Sequence, residues 1–492
     1  MPDLPHIVIF NPDQFRYDGL GHSGNPCAVT PNLDRLAAAE GVSFTNAFCQ
    51  NPVCTPSRCS FMTGWYPHVR GHRSMFHMLH ADEPNLLRTL RQHGYFVWWG
   101  GKNDLIPGDS PEAMAECCDV KYVPPVKPLP MGGGWPDASR RAGPSAPDYY
   151  SFHVGRLDKG AEPVYRDSDW LNVEGAVELI RSRPQDRPLA IYLPLTYPHP
   201  TYAVEEPWYG MIDRARVPAR IPTPPGWEGK PAMLRGIWER QKLQGWSEER
   251  WRELRATYYG MCARIDHQFG MVVEALRAAG IYDRTAIFFF SDHGDYTGDY
   301  GLVEKNQNTF EDALVRVPFL IKPPKGVPVS PGRREALVEL VDFPATVEAL
   351  AGIRPEHTHF GRSLLPLLAD PRGPGRDAVF CEGGRVHGER HCMELESASS
   401  QDPAGPYWPR VNLQSSEGPE HGKAVMCRTR DFKYVRRLYE SDELYDLRGD
   451  PAELVNRVAD PALAGVLARL RERMLTFFLD TGDAVPHRTD RR

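Results

Sequence analysis

The sequence predicts an α/β fold: a large, mainly parallel sheet flanked by helices, with a smaller C-terminal α+β subdomain. Short apolar runs typical of buried strands alternate with helix-like segments over roughly the first 370 residues. A stretch rich in proline and glycine at 370–375 then precedes two further strand-like runs and an amphipathic helix. Because alternating strands and helices build open parallel sheets, we expect ligands to bind at the carboxyl ends of the strands.

Each predicted element is recognised by its length and its pattern of apolar residues. Apolar runs predict the buried strands of the large sheet, at 7–10, 95–99, 189–193, 286–290 and 317–321. Apolar residues at helical spacing predict helices at 32–40, 174–182 and 249–279, and a glycine follows the first of them. In the C-terminal region the same criteria predict strands at 424–428 and 433–436 and a helix at 461–479.

The alternation of elements also predicts the domain organisation. We expect a catalytic domain over residues 1–370 and a C-terminal subdomain over 376–492, with a small antiparallel sheet and a terminal helix. Two stretches interrupt the first domain, at 123–147 and 214–244, and both are rich in proline. Segments of this length without regular structure are usually disordered or functional lids. Their tryptophans favour packed lids over disorder.

Composition and charge narrow the possible functions. The chain has 492 residues, of which 41% are hydrophobic, and a formal net charge of -6, which argues against a general nucleic-acid binder. No apolar stretch reaches the length of about 18 residues that a membrane-spanning helix requires. The N-terminus lacks the pattern of a secretory signal, so we expect a cytoplasmic protein or one that has already been processed. In that compartment the ten cysteines are expected to be free thiols, mostly buried.

One cysteine stands in a motif that predicts a chemical modification. Cys54 is followed at the second position by Pro56 and at the fourth by Arg58, the pentapeptide that formylglycine-generating enzymes oxidise. Chance yields about 0.1 such matches in a chain of this composition, so the motif alone is moderate evidence. The apolar stretch and glycine that follow predict a helix, which Thr55 or Ser57 could cap. Oxidation of Cys54 would create an aldehyde whose hydrate is the nucleophile.

Polar residues at two predicted strand ends indicate a metal site. Asp13 and Gln14 follow the first strand, and Asp292 and His293 follow the strand predicted at 286–290. Carboxylates, an amide oxygen and an imidazole from two strand ends are suitable ligands for a divalent cation. Either pair alone could equally be a turn or a helix cap. Their occurrence together with the cysteine motif favours the metal site.

Basic residues near the predicted strand ends indicate an anion pocket. Lys102 follows two glycines after a strand, and Lys305 follows a glycine-containing loop. A lone lysine is usually a solvated surface group, but these two beside Arg58 would stabilise a tetrahedral oxyanion. His199, held between two prolines, is a candidate general acid or a histidine in a proline turn. Four histidines after the cysteine motif have at most a substrate-pocket role: His68, His72, His77 and His80.

Together these residues resemble the type I sulfatases of the alkaline phosphatase superfamily, and the resemblance extends over nearly the whole chain. The segments that carry it lie at 30–36, 41–47, 52–64, 258–266, 291–294, 316–318, 433–434, 443–447 and 450–451. The resemblance implies an alkaline-phosphatase-like fold and an arylsulfatase-like sulfuric ester hydrolase. It also implies a small-molecule sulfate ester as substrate and a formylglycine-generating enzyme as the partner during maturation. The sequence leaves the identity of the sulfated compound and the oligomeric state open.

The resemblance further implies a role for each candidate residue. Formylglycine from Cys54 would lie with Asp13, Gln14, Asp292 and His293 around one divalent metal, with Ca²⁺ favoured over Mn²⁺ by the oxygen-rich ligands.

Sulfate binding and leaving-group assistance fall to the basic residues. Arg58 would hold the hydrate and the sulfate, and Lys102 and Lys305 would bind sulfate oxygens. His199 or Lys305 would assist the leaving group. One hydroxyl of the hydrate would attack sulfur and expel the alcohol, and deprotonation of the other would release sulfate and restore the aldehyde.

The chain departs from the usual family pattern at three places. Gln14 stands where an acidic residue is common, Asp104 stands near the place of a usual histidine, and residues 97–100 lack the usual small polar residues. Asp-Gln with Asp-His is closer to the formylglycine-dependent phosphonate monoester and phosphodiester hydrolases, which form the alternative interpretation.

Two further questions stay open in the sequence. A catalytically silent binding protein on this fold is disfavoured because the nucleophile position and the metal set are all present. Several tryptophans would line an aromatic or sugar-binding cleft, or belong to the core: Trp98, Trp99, Trp135, Trp208 and Trp227.

Overall fold

The computed structural model describes residues 4–133, 143–394, 401–487, 489 and 491. The strands are β1 His6–Asp13, β2 Val42–Phe48, β3 Phe96–Gly100, β4 Val120–Tyr122, β5 His153–Leu157, β6 Leu189–Pro198, β7 Tyr202–Glu205, β8 Thr285–Phe290, β9 Arg316–Lys322, β10 Gly332–Glu339, β11 Val379–Gly383, β12 Ala424–Arg428, β13 Phe432–Arg437 and β14 Glu443–Asp446. The helices are α1 Pro31–Ala39, α2 Cys54–Thr63, α3 Pro67–Arg70, α4 Leu86–Gln92, α5 Pro111–Cys117, α6 Ser168–Ser182, α7 Trp208–Met211, α8 Ala232–Gln241, α9 Glu248–Ala278, α10 Asp312–Val315, α11 Asp342–Ala351, α12 Leu365–Ala369, α13 Trp408–Val411 and α14 Ala464–Thr481.

The large sheet has eight strands in the order β10-β2-β9-β8-β1-β6-β3-β4. All neighbouring pairs are parallel except the two that involve β9, which runs antiparallel to β2 and β8. The predicted fold class, a mainly parallel sheet flanked by helices, is therefore confirmed. The four adjacent strands β8, β1, β6 and β3 are mutually parallel, so their carboxyl ends meet at one edge of the sheet.

Both faces of the sheet are buried, as the continuous apolar strands require. Along β1, Ile7 and Ile9 enter one hydrophobic core, whereas Val8 and Phe10 enter the other. The first core also holds apolar residues of α2, α4 and α11, and the second holds those of α1, α6 and α9. The sheet is thus the middle layer of three.

The C-terminal region contains a second sheet, in which β11, β12, β13 and β14 are paired antiparallel in that order. Helix α14 packs on it, with the Phe477 ring stacked 3.9 Å from the Phe380 ring. The predicted small antiparallel sheet and terminal helix are confirmed. The domain boundary near residue 370 stays a prediction.

The inserted segment predicted at 214–244 contains α8 and is anchored by a buried ion pair. Lys230 Nζ donates to Glu311 Oε1 at 3.0 Å and to the Tyr445 hydroxyl at 3.0 Å, so three parts of the chain meet at this ammonium. In the other insertion, predicted at 123–147, residues 134–142 lie outside the described ranges, and so does Trp135. The role of either segment as a lid stays a prediction.

We expect Glu311→Gln to destabilise the folded protein in a pH-dependent way. Burial acts to raise the pKa of Glu311, but Lys230 outweighs it and lowers the pKa to about 2 from its ordinary value of 4.5. The ion pair therefore stabilises the fold above pH 4.5, and its contribution is lost as the pH falls toward 2. Its loss should lower the free energy of unfolding by up to about 3 kcal/mol at pH 7.

Denaturant unfolding of wild type and Glu311→Gln at pH 7 and pH 4 measures this effect. The difference between the two proteins should shrink at the lower pH. Glu335→Gln, which removes an exposed carboxylate paired with Arg430, serves as the matched control and should change stability by less than about 1 kcal/mol. A difference for Glu311→Gln that does not depend on pH would contradict the assignment.

Among the helices in the described part of the chain, none has the length and apolar character needed to cross a lipid bilayer. All ten cysteines are free and buried, as the sequence predicted.

Candidate active site

Cys54 is the first residue of α2 and lies at the carboxyl edge of the large sheet, with 1% of its surface exposed. Its Sγ lies 3.2 Å from His293 Nε2, 3.5 Å from Asp13 Oδ1 and 3.7 Å from Lys102 Nζ. Burial, followed by the charge of Asp13, raises the pKa of the thiol well above its usual range. The unmodified side chain is therefore a neutral thiol and a weak nucleophile.

Helix α2 positions the cysteine without a side-chain cap. Its N-cap is Val53, and the predicted capping by Thr55 or Ser57 is wrong. Ser57 instead donates to the backbone oxygen of Asp292 at 2.6 Å, which ties the helix to the end of β8. The helix ends at Gly64, whose φ of 73° suits a glycine, as predicted.

Four of the predicted site residues form a cluster that suits a divalent cation. One ligand atom each from Asp13, Cys54, Asp292 and His293 lies within 4.8 Å of the others, and all four residues are buried. The His293 Nδ1 donates to the Gly294 carbonyl at 2.9 Å, so the lone pair of Nε2 is directed at the cluster. Two carboxylates and an oriented imidazole are a suitable donor set for Ca²⁺ or Mn²⁺.

Gln14 lies beside this cluster and hydrogen-bonds to two other charged groups. Its Oε1 accepts from Lys305 Nζ at 2.6 Å, and its Nε2 donates to Asp295 Oδ2 at 2.5 Å. Its backbone amide donates to Asp292 Oδ1 at 3.1 Å. The structure therefore brings Gln14 next to the predicted metal ligands, and its own ligation stays a prediction.

Arg58 is fully buried and bridges the carboxylates from two strands. Its Nη2 lies 3.0 Å from Asp13 Oδ2 and 2.8 Å from Asp292 Oδ2. Its Nη1 donates to Asn11 Oδ1 at 2.9 Å and to the Tyr192 hydroxyl at 3.2 Å. This guanidinium offsets the negative charge of the cluster and holds both carboxylates in place.

Lys102 reaches the same cluster from the end of β3. Its Nζ lies 2.6 Å from Asp13 Oδ2 and 2.8 Å from Asp104 Oδ2. Burial acts to lower the pKa of Lys102, but Asp104 and Asp13 outweigh it and raise that pKa well above its usual range. Asp104 thus serves as a counter-charge of Lys102.

The pKa of Asp13 shows how cationic its surroundings are. Burial acts to raise that pKa, but the charges of Lys102 and Arg58 outweigh burial and hold it well below its usual range. Asp13 therefore stays ionised at any physiological pH.

His199 and Lys305 differ in the proton that each can offer. The His199 Nδ1 donates to the Pro200 carbonyl at 2.7 Å, and burial, followed by Lys305 and Lys102, lowers the pKa of His199 well below its usual range. Burial also acts to lower the pKa of Lys305, but the negative charges beside it, Glu304 and then Asp13, outweigh burial and raise that pKa. The neutral imidazole presents an acceptor at Nε2, whereas the lysine stays a cationic donor.

Residues from the C-terminal region also border the site, and sequence reasoning missed them. A small cavity beside Lys305 is lined by Phe152, Tyr407 and Arg410. The Tyr407 ring lies 6.4 Å from the His199 ring, and Arg410 Nε lies 3.6 Å from Glu304 Oε2. These residues follow proline-rich loops without periodicity, so only the tertiary fold reveals them.

Other sequence candidates lie elsewhere. Trp98, Trp99, Trp208 and Trp227 are buried in the two hydrophobic cores, which supports the core interpretation for these four. His68 contacts Glu382 and His72 contacts Glu83, so these two histidines pair with nearby carboxylates. The substrate-pocket role of the four histidines stays a prediction. A larger cavity of about 710 Å³ is lined by none of the predicted site residues.

The buried carboxylates, imidazole and cations at the carboxyl edge of the sheet suit an ester hydrolase, and the family to which the chain belongs is part of the alkaline phosphatase superfamily. The chain belongs to the sulfatase family, whose sequence profile matches residues 5–353, and it is a sulfuric ester hydrolase.

Comparisons with individual proteins agree with this assignment. The chain is similar to Arylsulfatase K of Xenopus laevis, with 25% identity over 442 residues that cover 85% of this chain and 72% of that protein. It is equally similar to the multifunctional alkaline phosphatase superfamily protein PehA of Trinickia caryophylli, with 25% identity covering 97% and 96%. In fold it resembles the phosphonate monoester hydrolase of Agrobacterium radiobacter, with a TM-score of 0.73, 23% identity and coverage of 99% and 100%.

Proposed function

We propose that this protein hydrolyses a small-molecule sulfate monoester with a formylglycine made from Cys54. The observation that carries the proposal is the position of Cys54 Sγ, in contact with Asp13, His293 and Lys102 in a buried cationic site. The aldehyde hydrate would supply two hydroxyl groups, one to bond to sulfur and one whose deprotonation releases sulfate. A formylglycine-generating enzyme is the partner that this modification requires.

The basic residues of the chain have separate tasks in this proposal. Arg58 holds the modified side chain and neutralises Asp13 and Asp292. Lys102 and Lys305 bind sulfate oxygens and place positive charge where negative charge grows in the transition state. Lys305, as the cationic donor, stabilises the departing oxygen. His199 accepts at Nε2 the proton of the second hydroxyl of the hydrate, so that sulfate leaves and the aldehyde is restored.

The metal in this proposal is Ca²⁺, which would be held by Asp13, Gln14, Asp292, His293 and the modified Cys54. When bound, it supplies positive charge that orients the substrate and increases the acidity of a bound hydroxyl. The Asp13 and Asp292 carboxylates provide the oxygen-rich ligation that favours Ca²⁺, whereas the His293 imidazole also suits Mn²⁺. Removal by a chelator followed by add-back of Ca²⁺, Mn²⁺ or Mg²⁺ identifies the ion from the recovered activity.

We expect Lys305→Met and His199→Ala to respond differently to the leaving group. Loss of Lys305 removes the cation that stabilises the departing oxygen. The decrease in kcat/KM caused by Lys305→Met should therefore be about 10-fold larger for aryl sulfates with poorer leaving groups than for 4-nitrophenyl sulfate. Loss of His199 should lower kcat/KM by a similar factor, about 10²-fold, for all leaving groups. A series of aryl sulfates of graded phenol pKa measures both slopes. A steeper slope for His199→Ala than for Lys305→Met would assign the donor role to the histidine.

A phosphonate monoester or phosphodiester hydrolase is the second candidate, because of Gln14. An amide at this position lowers the negative charge around the metal. The test compares kcat/KM for 4-nitrophenyl sulfate and for 4-nitrophenyl phenylphosphonate on the same enzyme preparation. We expect the sulfate to be preferred by at least about 10-fold, and a preference of that size for the phosphonate would overturn the first choice.

The cytoplasmic location predicted from the sequence stays a prediction. The ten buried, free thiols are typical of a reducing compartment and support it.

A further inference from the structure

Gln14 lies between two groups of opposite charge, and both require the same orientation of its amide. The Lys305 ammonium can only donate, so the atom 2.6 Å from it must be the amide oxygen. The Asp295 carboxylate accepts, so the atom 2.5 Å from its Oδ2 must be the amide nitrogen. Gln14 is fully buried, so bulk solvent does not compete for either contact.

Asp295 is itself held in one orientation by neutral donors. Its Oδ1 accepts from the Thr297 backbone amide at 2.5 Å and from the Thr297 hydroxyl at 2.6 Å. The Tyr202 hydroxyl donates to both carboxylate oxygens, at 2.8 and 2.9 Å. Since Thr297 occupies Oδ1, the oxygen that faces Gln14 is always Oδ2.

We propose that Asp295 is a positioning residue that fixes the amide of Gln14 with its oxygen on Lys305, and so holds Lys305 in the oxyanion pocket. The contact requires an amide at one of positions 14 and 295 and a carboxylate at the other. Either arrangement lets an amide nitrogen donate to a carboxylate oxygen. The proposal rests on the proposed function for two points, the role of Lys305 in binding the substrate and the place of Gln14 among the metal ligands.

Each single substitution, Gln14→Glu or Asp295→Asn, breaks the hydrogen bond between the amide and the carboxylate. In Gln14→Glu, two carboxylates meet at the distance of a short hydrogen bond, which is unfavourable unless one takes up a proton. In Asp295→Asn, Thr297 keeps the side-chain oxygen at its own side, so the new amide nitrogen faces the nitrogen of Gln14. Gln14 then turns over, and its nitrogen meets the Lys305 ammonium.

The double exchange, Gln14→Glu with Asp295→Asn, restores the pattern. The amide introduced at position 295 would donate to one oxygen of the new carboxylate, and the other oxygen would accept from Lys305. The double variant has the same net charge as the wild type and nearly the same volume. A double-mutant cycle therefore separates the pairing from the effects of charge and packing.

The experiment measures kcat/KM on 4-nitrophenyl sulfate and the melting temperature for the wild type, both single variants and the double variant. We expect each single variant to lose about 30-fold in kcat/KM and the double variant to return to within about 10-fold of the wild type. A double variant as low as the product of the two single losses would overturn the proposal. If the single variants fail to fold, a folded double variant supports the pairing and an unfolded one overturns it.

A second background tests the route through Lys305. Asp295→Asn introduced into Lys305→Met should cost less than about 3-fold in kcat/KM, because the group that it positions is already absent. A full 30-fold loss in that background would show that Asp295 acts elsewhere and would overturn the proposal. Failure of the proposed function is distinguishable because Cys54→Ala would then retain activity. The melting temperatures of the wild type, the single variants and the double variant would still show whether residues 14 and 295 are coupled.

Discussion

Cys54→Ala is expected to lower kcat/KM for the sulfate ester by about 10⁴-fold or more. The methyl side chain cannot be oxidised to an aldehyde, so the group that attacks sulfur is lost while Arg58, Lys102 and Lys305 still bind the anion. Enzymes that lose their nucleophile keep only the residual activity that substrate binding and charge stabilisation provide. KM should change much less than kcat, since the cationic pocket is intact.

Cys59→Ala is the matched control for this variant. Cys59 lies on the same helix, is buried to the same 1% exposure and donates a long contact of 3.9 Å to the His77 carbonyl. Its loss removes a thiol of equal size without touching the charged cluster. We expect activity within about 3-fold of the wild type. Substantial turnover by Cys54→Ala under the same conditions would contradict the nucleophile assignment.

Asp13→Asn is expected to lower kcat/KM by about 10³-fold and metal affinity by about 10²-fold. The Asp13 carboxylate contacts Arg58 at 3.0 Å and Lys102 at 2.6 Å, so an amide there leaves two buried cations short of a partner. The amide also brings a donor where the cluster needs acceptors. Loss of the single negative charge of Asp13 should lower both metal affinity and kcat/KM, because this carboxylate is a proposed metal ligand and also the partner of Arg58 and Lys102.

Calorimetric titration of the metal-free protein with Ca²⁺ and steady-state kinetics measure the two effects separately. Asp377→Asn removes an exposed carboxylate that pairs with Arg473 and serves as the control of equal charge change. It should leave both quantities unchanged within error. Wild-type metal affinity in Asp13→Asn would remove Asp13 from the ligand set, whatever happens to the activity.

The site residues at strand ends could be predicted from the sequence because a charged side chain directly after an apolar run marks both the end of a strand and a candidate ligand. Asp13, Asp292 and Lys102 each follow an apolar run, and parallel neighbouring strands bring such residues to one edge. The pairing of Arg58 with both carboxylates agrees with its place one turn after Cys54 on the same helix.

Other features depend on tertiary contacts that no local pattern encodes. The run at 317–321 predicted a strand of the large sheet but not that β9 runs antiparallel to both neighbours. Strands β2 and β10 were missed because polar residues interrupt their apolar pattern, as in the sequence of β10, GRREALVE. Tyr407 and Asp295 reach the site through loops, so their role follows only from the folded structure.

The contact between Gln14 and Lys305 explains one departure from the family pattern. The amide oxygen of Gln14 binds the lysine, and the negative charge that a carboxylate would have brought lies one residue further out, on Asp295. The site therefore keeps a carboxylate in its hydrogen-bond network, in contact with the side chain of residue 14 and not at position 14 itself. The comparison of matched sulfate and phosphonate esters measures the preference of this site for sulfur or phosphorus.

The mass of the peptide that contains Cys54, from enzyme purified with measurable activity, tests the central claim most directly. Conversion of the thiol to the aldehyde lowers the mass by about 18 Da, and the aldehyde should also react with a hydrazide probe. We expect the modified peptide to be present and its fraction to rise in proportion to specific activity across preparations. Fully active enzyme in which this peptide has the mass of unmodified cysteine would contradict the account.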